Sequence, residues 1–185
     1  MSEEKKLAVL IDSDNVSAKY AQFVMNEVQK YGVPTYKRVY GDWEKGGNGW
    51  HAPAVNYSIM PVQQTSYVAG KNATDFSMII DAMDILHKES VNGFCIVSSD
   101  SDYTRLASRI RESGREVLGF GEKKTPKPFI KSCDKFIYVE ILGQPAPAPA
   151  PVSAPAQTAA AVPAAKAATP KKTEQKHKGR NAPET

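Results

Sequence analysis

Residues 94–103, with the sequence FCIVSSDSDY, indicate the fold of this chain. The apolar run suits a strand that is buried on both faces, and the Ser and Asp residues after it suit the start of a helix. Asp100 and Asp102 are therefore expected at the carboxyl end of a strand. In an open α/β sheet, ligands bind at that edge, most often where the strand order reverses.

The same arrangement occurs near the amino terminus, where the apolar residues 7–11 end at Asp12. Helical spacing follows, and strands and helices then alternate along the chain. This alternation predicts an α/β fold, a three-layer, Rossmann-like sandwich with a central, mainly parallel sheet between helices. The remaining strands are predicted at residues 33–40, 61–68, 116–120 and 136–139; helices at 50–59, from Asp75 and after Tyr103; and a basic loop at 123–131.

Composition divides the chain into a domain at residues 5–142 and a tail at residues 143–185. From Gln144 onward there is no aromatic residue, Leu or Ile, and residues 145–170 are rich in Ala and Pro. Such a segment buries too little apolar surface to offset its ordering entropy, so we predict a disordered Ala/Pro-rich linker and basic tail. The whole net charge of +4 lies in this tail. It can contact nucleic acid or an acidic partner, or it can simply aid solubility.

The two cysteines, Cys95 and Cys133, have no CxxC spacing, so neither a zinc site nor a disulfide framework is indicated. No apolar run approaches the roughly 18 residues of a membrane span, and residues 1–6 are not followed by a secretory apolar segment. We expect a cytoplasmic protein that does not enter the membrane.

Three acidic positions fall at the predicted carboxyl edge: Asp12, Asp75 at a helix start, and the pair Asp100 and Asp102. Two such charges about 4 Å apart repel by about 4 kcal/mol at an effective dielectric constant of about 20, so a convergent set needs a cation. Oxygen ligands without His or Cys suit Mg²⁺ or Mn²⁺, which activate water and stabilise a phosphodiester under attack. A single Asp at such a place can also be a simple helix cap.

Several ordered blocks resemble the LabA-like branch of the NYN domains over residues 5–142. These blocks are LIDSDN at 10–15, YGDW at 40–43, GKNATD at 70–75, IDAMD at 80–84, VSSDSDY at 97–103 and GFGE at 119–122. NYN domains belong to the PIN-like group, so the resemblance implies a three-layer α/β sandwich. It also implies a metal-dependent ribonuclease whose metal-binding, catalytic acids are Asp12, Asp75, Asp100 and Asp102. Asn15 matches the Asn beside the first acid, where it would orient a carboxylate or contact substrate.

Substrate contacts are expected from loops at the same edge. Trp43 and Trp50 can stack on bases of a single strand, or they can pin a long loop to the sheet. Lys71, Lys123 and Lys124 can hold phosphates, or they can be solvated surface residues. Ser99, next to Asp100, completes the predicted substrate-binding set.

The leading hypothesis is an RNA hydrolase that uses Mg²⁺ or Mn²⁺ to activate a water molecule. One alternative is a non-catalytic RNA-binding or regulatory module with the same fold. Another is a haloacid-dehalogenase-type phosphatase, because Asp12 and Asp14 have the spacing of its nucleophile and acid/base. Against it, the second strand leads into Gly41-Asp42-Trp43 rather than a Ser or Thr. A homodimer is compatible with the sequence.

Overall fold

A computed structural model describes residues 4–64 and 73–143, with the side chains of residues 73–75 outside that description. Strands and helices alternate in this part of the chain. The strands are β1 (Lys6–Asp12), β2 (Val33–Gly41), β3 (Met60–Gln63), β4 (Gly93–Val97), β5 (Glu116–Gly121) and β6 (Lys135–Tyr138). The helices are α1 (Ala21–Val28), α2 (His51–Asn56), α3 (Ala73–His87), α4 (Thr104–Glu112), α5 (Lys127–Ser132) and α6 (Val139–Leu142).

The strands form one parallel sheet in the order β3-β2-β1-β4-β5-β6. The chain thus runs outward from β1 to β3, returns to the centre at β4, and runs outward again on the other side. This order reverses between β1 and β4, which pair with each other at the centre of the sheet. The predicted α/β fold with a central parallel sheet is confirmed.

Helices cover both faces of the sheet, which gives three layers. On one face, α1, α2 and α6 pack against alternate strand residues such as Val9 and Val97. On the other face, α3, α4 and α5 pack against residues such as Leu10 and Ile96. The central strands β1 and β4 are therefore buried on both sides, which explains their continuous apolar sequence.

Three predicted elements need correction. The predicted loop at 123–131 contains helix α5, in which Phe129 is fully buried against the sheet. Pro128 stands near the start of this helix, where its missing N–H costs no hydrogen bond. The third strand ends at Gln63, and residues 65–68 of its predicted extent lie outside the described residues. The last strand gives way to helix α6 at Val139.

The predicted disordered tail, residues 143–185, lies almost entirely outside the described residues, which end at Gly143. Within the described part of the chain, no helix combines the length and the apolar character that a membrane crossing requires.

Candidate functional site

The carboxyl ends of β1 and β4 bring Asp12 and Ser98 together where the strand order reverses. Ile11 pairs with Val97, so the next residues along the two strands are neighbours. Leu10 and Ile96 belong to the core under α3 and α4, and side chains alternate along a strand. Asp12 and Ser98 therefore project toward the α3/α4 side, at the edge where an open α/β sheet binds its ligands. We call this edge the carboxyl edge.

The Asp12 carboxylate is fully buried. Its Oδ1 accepts a hydrogen bond from the backbone N–H of Asp14 at 3.0 Å. Its Oδ2 accepts from the Asn15 amide at 2.7 Å and from the Ser98 hydroxyl at 2.8 Å. A buried polar group needs such partners, because an unmade hydrogen bond costs the full desolvation penalty. The predicted orienting contact of Asn15 with Asp12 is thus present, and Asn15 holds this carboxylate in one orientation.

Ser98 links the first acid to the second. Besides donating to Asp12, its hydroxyl accepts the backbone N–H of Asp100 at 3.0 Å. The Oδ1 atom of Asp100 in turn accepts the backbone N–H of Asp102 at 2.9 Å, which caps a short 3₁₀ turn ahead of α4. Asp100 is half-buried and Asp102 is exposed. The structure therefore brings Asp12, Asp100 and Asp102 to one edge through a chain of hydrogen bonds.

The fourth predicted acid, Asp75, lies in the first turn of α3, which packs on the same side of the sheet. Its side chain is outside the described residues. Among the side chains that the structure does describe, no three His, Cys, Asp or Glu residues lie close enough to hold one metal ion. A shared metal site at this edge therefore depends on Asp75 and stays a prediction.

A polar groove of about 340 Å³ lies beside the first acid and is lined by the residues that follow β1, together with residues from two other loops. Asn48, from the loop after β2, donates to the Ser13 carbonyl at 3.2 Å and to Asp14 Oδ1 at 2.6 Å. The lining residues are Ser13, Asp14, Asn15, Val16, Ser17, Asn48, Glu122 and Lys124. Predicted substrate residues Asn15 and Lys124 thus share one groove.

The loop after β5 is fixed to this edge by two hydrogen bonds. The backbone N–H of Glu122 donates to Ser99 Oγ at 2.9 Å, and that of Lys123 donates to Glu140 Oε1 at 2.8 Å. Lys124 Nζ lies 3.1 Å from Glu122 Oε2, and its side chain is 66% exposed. Ser99 is nearly buried and serves as an acceptor between loops, so its hydroxyl positions the Lys124 loop.

A second acid on the same face, Asp81 of α3, is held by two residues of β2. The Tyr40 hydroxyl donates to Asp81 Oδ2 at 2.8 Å, and the Arg38 guanidinium forms an ion pair with the same oxygen. Burial raises the pKa of Tyr40 above its usual value, and the hydrogen bond to Asp81 raises it further. Tyr40 therefore remains a donor at all ordinary pH values, and α3 is tied to the strand next to Asp12.

The two tryptophans differ in how far they are buried. Trp50 is fully buried and its indole N–H donates to the Val16 carbonyl at 3.1 Å. Of the two alternatives for Trp50, base stacking is excluded, because the ring has no accessible face, and the residue pins the long loop. Trp43 is partly buried, donates to the Val62 carbonyl at 3.1 Å and lies edge-on to His51. Lys71 lies outside the described residues, and Lys123 is exposed.

Sequence reasoning missed Ser98, Asn48 and Glu122. A signal existed for Ser98, because side-chain alternation places it two residues after the buried Ile96 and on the same side. Asn48 had no such signal: it adopts a left-handed backbone with φ of 49° inside a glycine-rich turn, and its contacts span 34 residues. Glu122 is brought to the groove by the pairing of β4 with β5.

Comparison with known proteins shows the family and the fold of the chain. The family model of the NYN domain matches residues 6–141. Among solved structures, the chain is similar to a protein of unknown function from Vibrio parahaemolyticus, with a TM-score of 0.60 and 21% identity over 75% of this chain and 94% of that one. At this identity the likeness concerns the fold. No curated protein matches the chain significantly.

Proposed function

Because the chain belongs to the NYN domain family, we propose that it is a divalent-metal-dependent ribonuclease that hydrolyses phosphodiester bonds of single-stranded RNA. Membership in this family implies a nuclease of the PIN-like group, which is a hydrolase. The dependence on a divalent metal and the RNA substrate are what we propose beyond it. The blocks around Asp12, Asp75 and Asp100 further support a place in the LabA-like branch.

One observation carries the proposal: the hydrogen-bonded chain from Asp12 through Ser98 to Asp100 at the switch point of the sheet. It holds two acids from distant parts of the sequence at the edge where α/β proteins bind ligands. Among the described residues, Asp12 accepts from a backbone N–H, an amide and a hydroxyl, none of which carries a full charge. Hydrogen bonds of this kind stabilise the ionised form of a carboxylate, which is the form that would bind a divalent cation at this edge.

The donor atoms at this edge fit Mg²⁺ or Mn²⁺. Asp12, Asp100 and Asp102 offer oxygen atoms, and Asp75 adds a further carboxylate from α3. Hard divalent cations take oxygen ligands and keep several waters, so few protein groups are needed. A divalent ion bound by these acids would supply an activated water and offset the charge that develops on the phosphodiester.

The surrounding residues have separate roles in this proposal. Asn15 and Ser98 fix the orientation of Asp12, and Ser99 fixes the loop that carries Lys124. Lys124 reaches into the groove beside Asn15 and would neutralise a phosphate next to the scissile bond. Trp43 is anchored through its indole N–H, and the part of its ring that stays accessible would stack on a base of the bound RNA.

The test is cleavage of end-labelled single-stranded RNA by the full chain with Mn²⁺ or Mg²⁺, with chelator as the blank. We expect products only with the metal, and Asp100→Asn to lower the rate by at least about 100-fold. Cleavage that Asp100→Asn leaves unchanged would refute the assignment. Tight RNA binding without turnover under either metal would favour a regulatory module, and hydrolysis of a small phosphomonoester without RNA cleavage would favour a phosphatase.

A further inference from the structure

Helix α3 carries two large apolar side chains on its solvent side. Phe76 is 67% exposed and Ile80 is 60% exposed, and their spacing of four residues places them one above the other. Isolated apolar residues are common on protein surfaces, but adjacent ones form a patch that suggests a contact. The buried face of α3 is complete without them, since Met78, Ala82 and Ile85 fill the core.

Helix α4 carries two arginines at the same spacing on its own solvent side. The Arg105 side chain is 85% exposed, and Glu112, whose Oε1 lies 3.9 Å from its guanidinium, is itself 55% exposed. An ion pair that open contributes little, so Arg105 is available to another anion. Arg109 is exposed as well and donates to the Ser113 hydroxyl at 2.6 Å.

The ends of the two helices meet in a small surface cavity of about 160 Å³. Its lining includes His87 at the end of α3, Arg109 and Ser113 at the end of α4, and Arg115 just beyond. Glu89 is the acid among the lining residues, and Asp84 of α3 and Glu112 of α4 are exposed acids on the same two helices. Two guanidinium groups and a hydroxyl are the donors that bind a phosphate group.

Both helices begin at the carboxyl edge. Asp100 and Asp102 come directly before α4, and Asp75 lies in the first turn of α3. The exposed residues Phe76, Ile80, Arg105 and Arg109 and the partly exposed Arg115, here called the α3–α4 strip, therefore lead from the candidate site to the opposite edge of the sheet. The nine residues of α4 span about 13 Å, which corresponds to about four stacked nucleotides.

We propose that the α3–α4 strip binds the single-stranded RNA that extends from the carboxyl edge. Arg105, Arg109 and Arg115 contact successive phosphates, and Phe76 and Ile80 pack against bases. A row of cations beside an exposed aromatic ring is the combination that single-strand binding proteins use, since every base has a stacking face. A purely apolar partner would leave the arginines without a role. The inference rests on the proposed function, because the strand is the substrate of that site.

The experiment measures RNA binding by the full chain in chelator, so that cleavage plays no part. The probes are fluorescent oligouridylates of about four and about twelve nucleotides, the range of single-strand site sizes. The test variant is Arg105→Gln/Arg109→Gln, and the matched control, Lys30→Gln/Lys131→Gln, removes two exposed charges outside the strip. Phe76→Ala tests the stacking contact separately, and far-UV circular dichroism checks that each variant is folded.

We expect the test variant to bind the longer RNA about tenfold more weakly, and the slope of log Kd against log salt to fall by about 1.4, or 0.7 for each lost phosphate contact. Phe76→Ala should weaken the same RNA about fivefold or more. The control should match the unmodified chain on both measures. Unchanged affinity and an unchanged salt slope in the test variant would refute RNA binding by the α3–α4 strip, even if the chain cleaves RNA. Altered binding without cleavage under any metal would instead refute the proposed function.

Discussion

Two acids on the same side of the sheet, Asp12 and Asp81, are both held by hydrogen bonds, yet by donors of different kinds. Asp81 accepts from the Tyr40 hydroxyl and pairs with the Arg38 guanidinium, so a full positive charge lies against it. Asp12 accepts from a backbone N–H, an amide and a hydroxyl. The Asp81 side chain is 27% exposed, whereas Asp12 is fully buried.

The difference separates an acid that stabilises the fold from one that is suited to chemistry. A guanidinium satisfies both the hydrogen-bonding need and the charge of its partner. Hydrogen bonds from neutral groups, such as those that Asp12 accepts, orient a carboxylate and favour its ionised form, which is the form that binds a divalent cation. The location agrees: Asp81 lies in the middle of α3, where it fastens the helix to β2, and Asp12 ends β1 at the switch point.

The largest effect expected from this comparison is on the cleavage rate. Asp12→Asn keeps the size of the side chain but removes its charge and brings an N–H toward the Asn15 and Ser98 donors. We expect kcat/KM for RNA cleavage to fall by about 10²–10³-fold, equivalent to about 3–4 kcal/mol of transition-state stabilisation. Single-turnover cleavage of labelled RNA with Mn²⁺ measures it.

The matched control is Asp81→Asn, which removes a charge of the same sign from the same face of the sheet. We expect the cleavage rate of this variant to stay within about fivefold of the unmodified chain, because Asp81 contacts Tyr40 and Arg38 rather than a ligand. If circular dichroism shows that both variants are folded and their cleavage rates fall equally, the proposed distinction between the two acids is wrong.

The next effect is on stability. Arg38→Ala leaves the Asp81 carboxylate and the buried Tyr40 hydroxyl without their charged neighbour. Breaking a pair that is about one-quarter exposed on each side should lower the free energy of unfolding by about 2 kcal/mol, less than a fully buried pair would lose. Urea unfolding followed by circular dichroism measures the change.

Lys45→Ala provides the comparison for that measurement. Lys45 pairs with Asp42 at 2.8 Å but is 74% exposed, so its removal should shift the urea midpoint by no more than the scatter between repeat measurements. If Arg38→Ala changes stability as little as Lys45→Ala, the contacts of Asp81 with Arg38 and Tyr40 do not fasten α3 to β2.

The sequence predicted the alternation of strands and helices and the central parallel sheet, because these features depend on local sequence pattern. The apolar runs before Asp12 and Asp100 mark the two central strands, and their acidic ends predict the edge that the structure brings together. The alternation of strands and helices predicts parallel pairing, since right-handed crossovers leave few other topologies, whereas the adjacency of β1 and β4 is known from the structure. The contact of Asn15 with Asp12 spans only three residues of sequence, and the family resemblance predicted it.

Contacts across the chain could not be predicted in the same way. The role of Trp50 depends on whether its ring faces solvent or the core, and a glycine-rich loop gives no periodicity from which to decide. The position of Asn48 depends on a left-handed turn, and the partners of Asp81 depend on where α3 crosses β2. Helix α5 was missed because six residues with one proline give too short a pattern.

A smaller effect is expected at the link between the acids. Ser98→Ala removes the hydroxyl that donates to Asp12 and accepts from Asp100, and leaves those two groups short of one partner each. We expect a loss of about 1 kcal/mol in stability and about a tenfold loss in cleavage rate, since both acids gain freedom. Ser108→Ala, which removes a hydroxyl bonded only within α4, should affect neither by a comparable amount. A rate loss in both variants alike would show that Ser98 does not organise the site.

The smallest effect is expected at the rim of the groove, at Lys124. Its side chain is 66% exposed and its partner Glu122 is held through its own backbone, so Lys124→Ala should leave stability within about 0.5 kcal/mol. A phosphate contact that positions the RNA before and during reaction affects binding more than chemistry, so we expect KM to rise about threefold while kcat stays constant. Lys30→Ala, an equally exposed lysine 68% accessible on α1's side of the fold, should leave both constants unchanged. A fall in kcat with constant KM would instead place Lys124 at the reacting centre, beside Asp12, rather than at the rim of the groove.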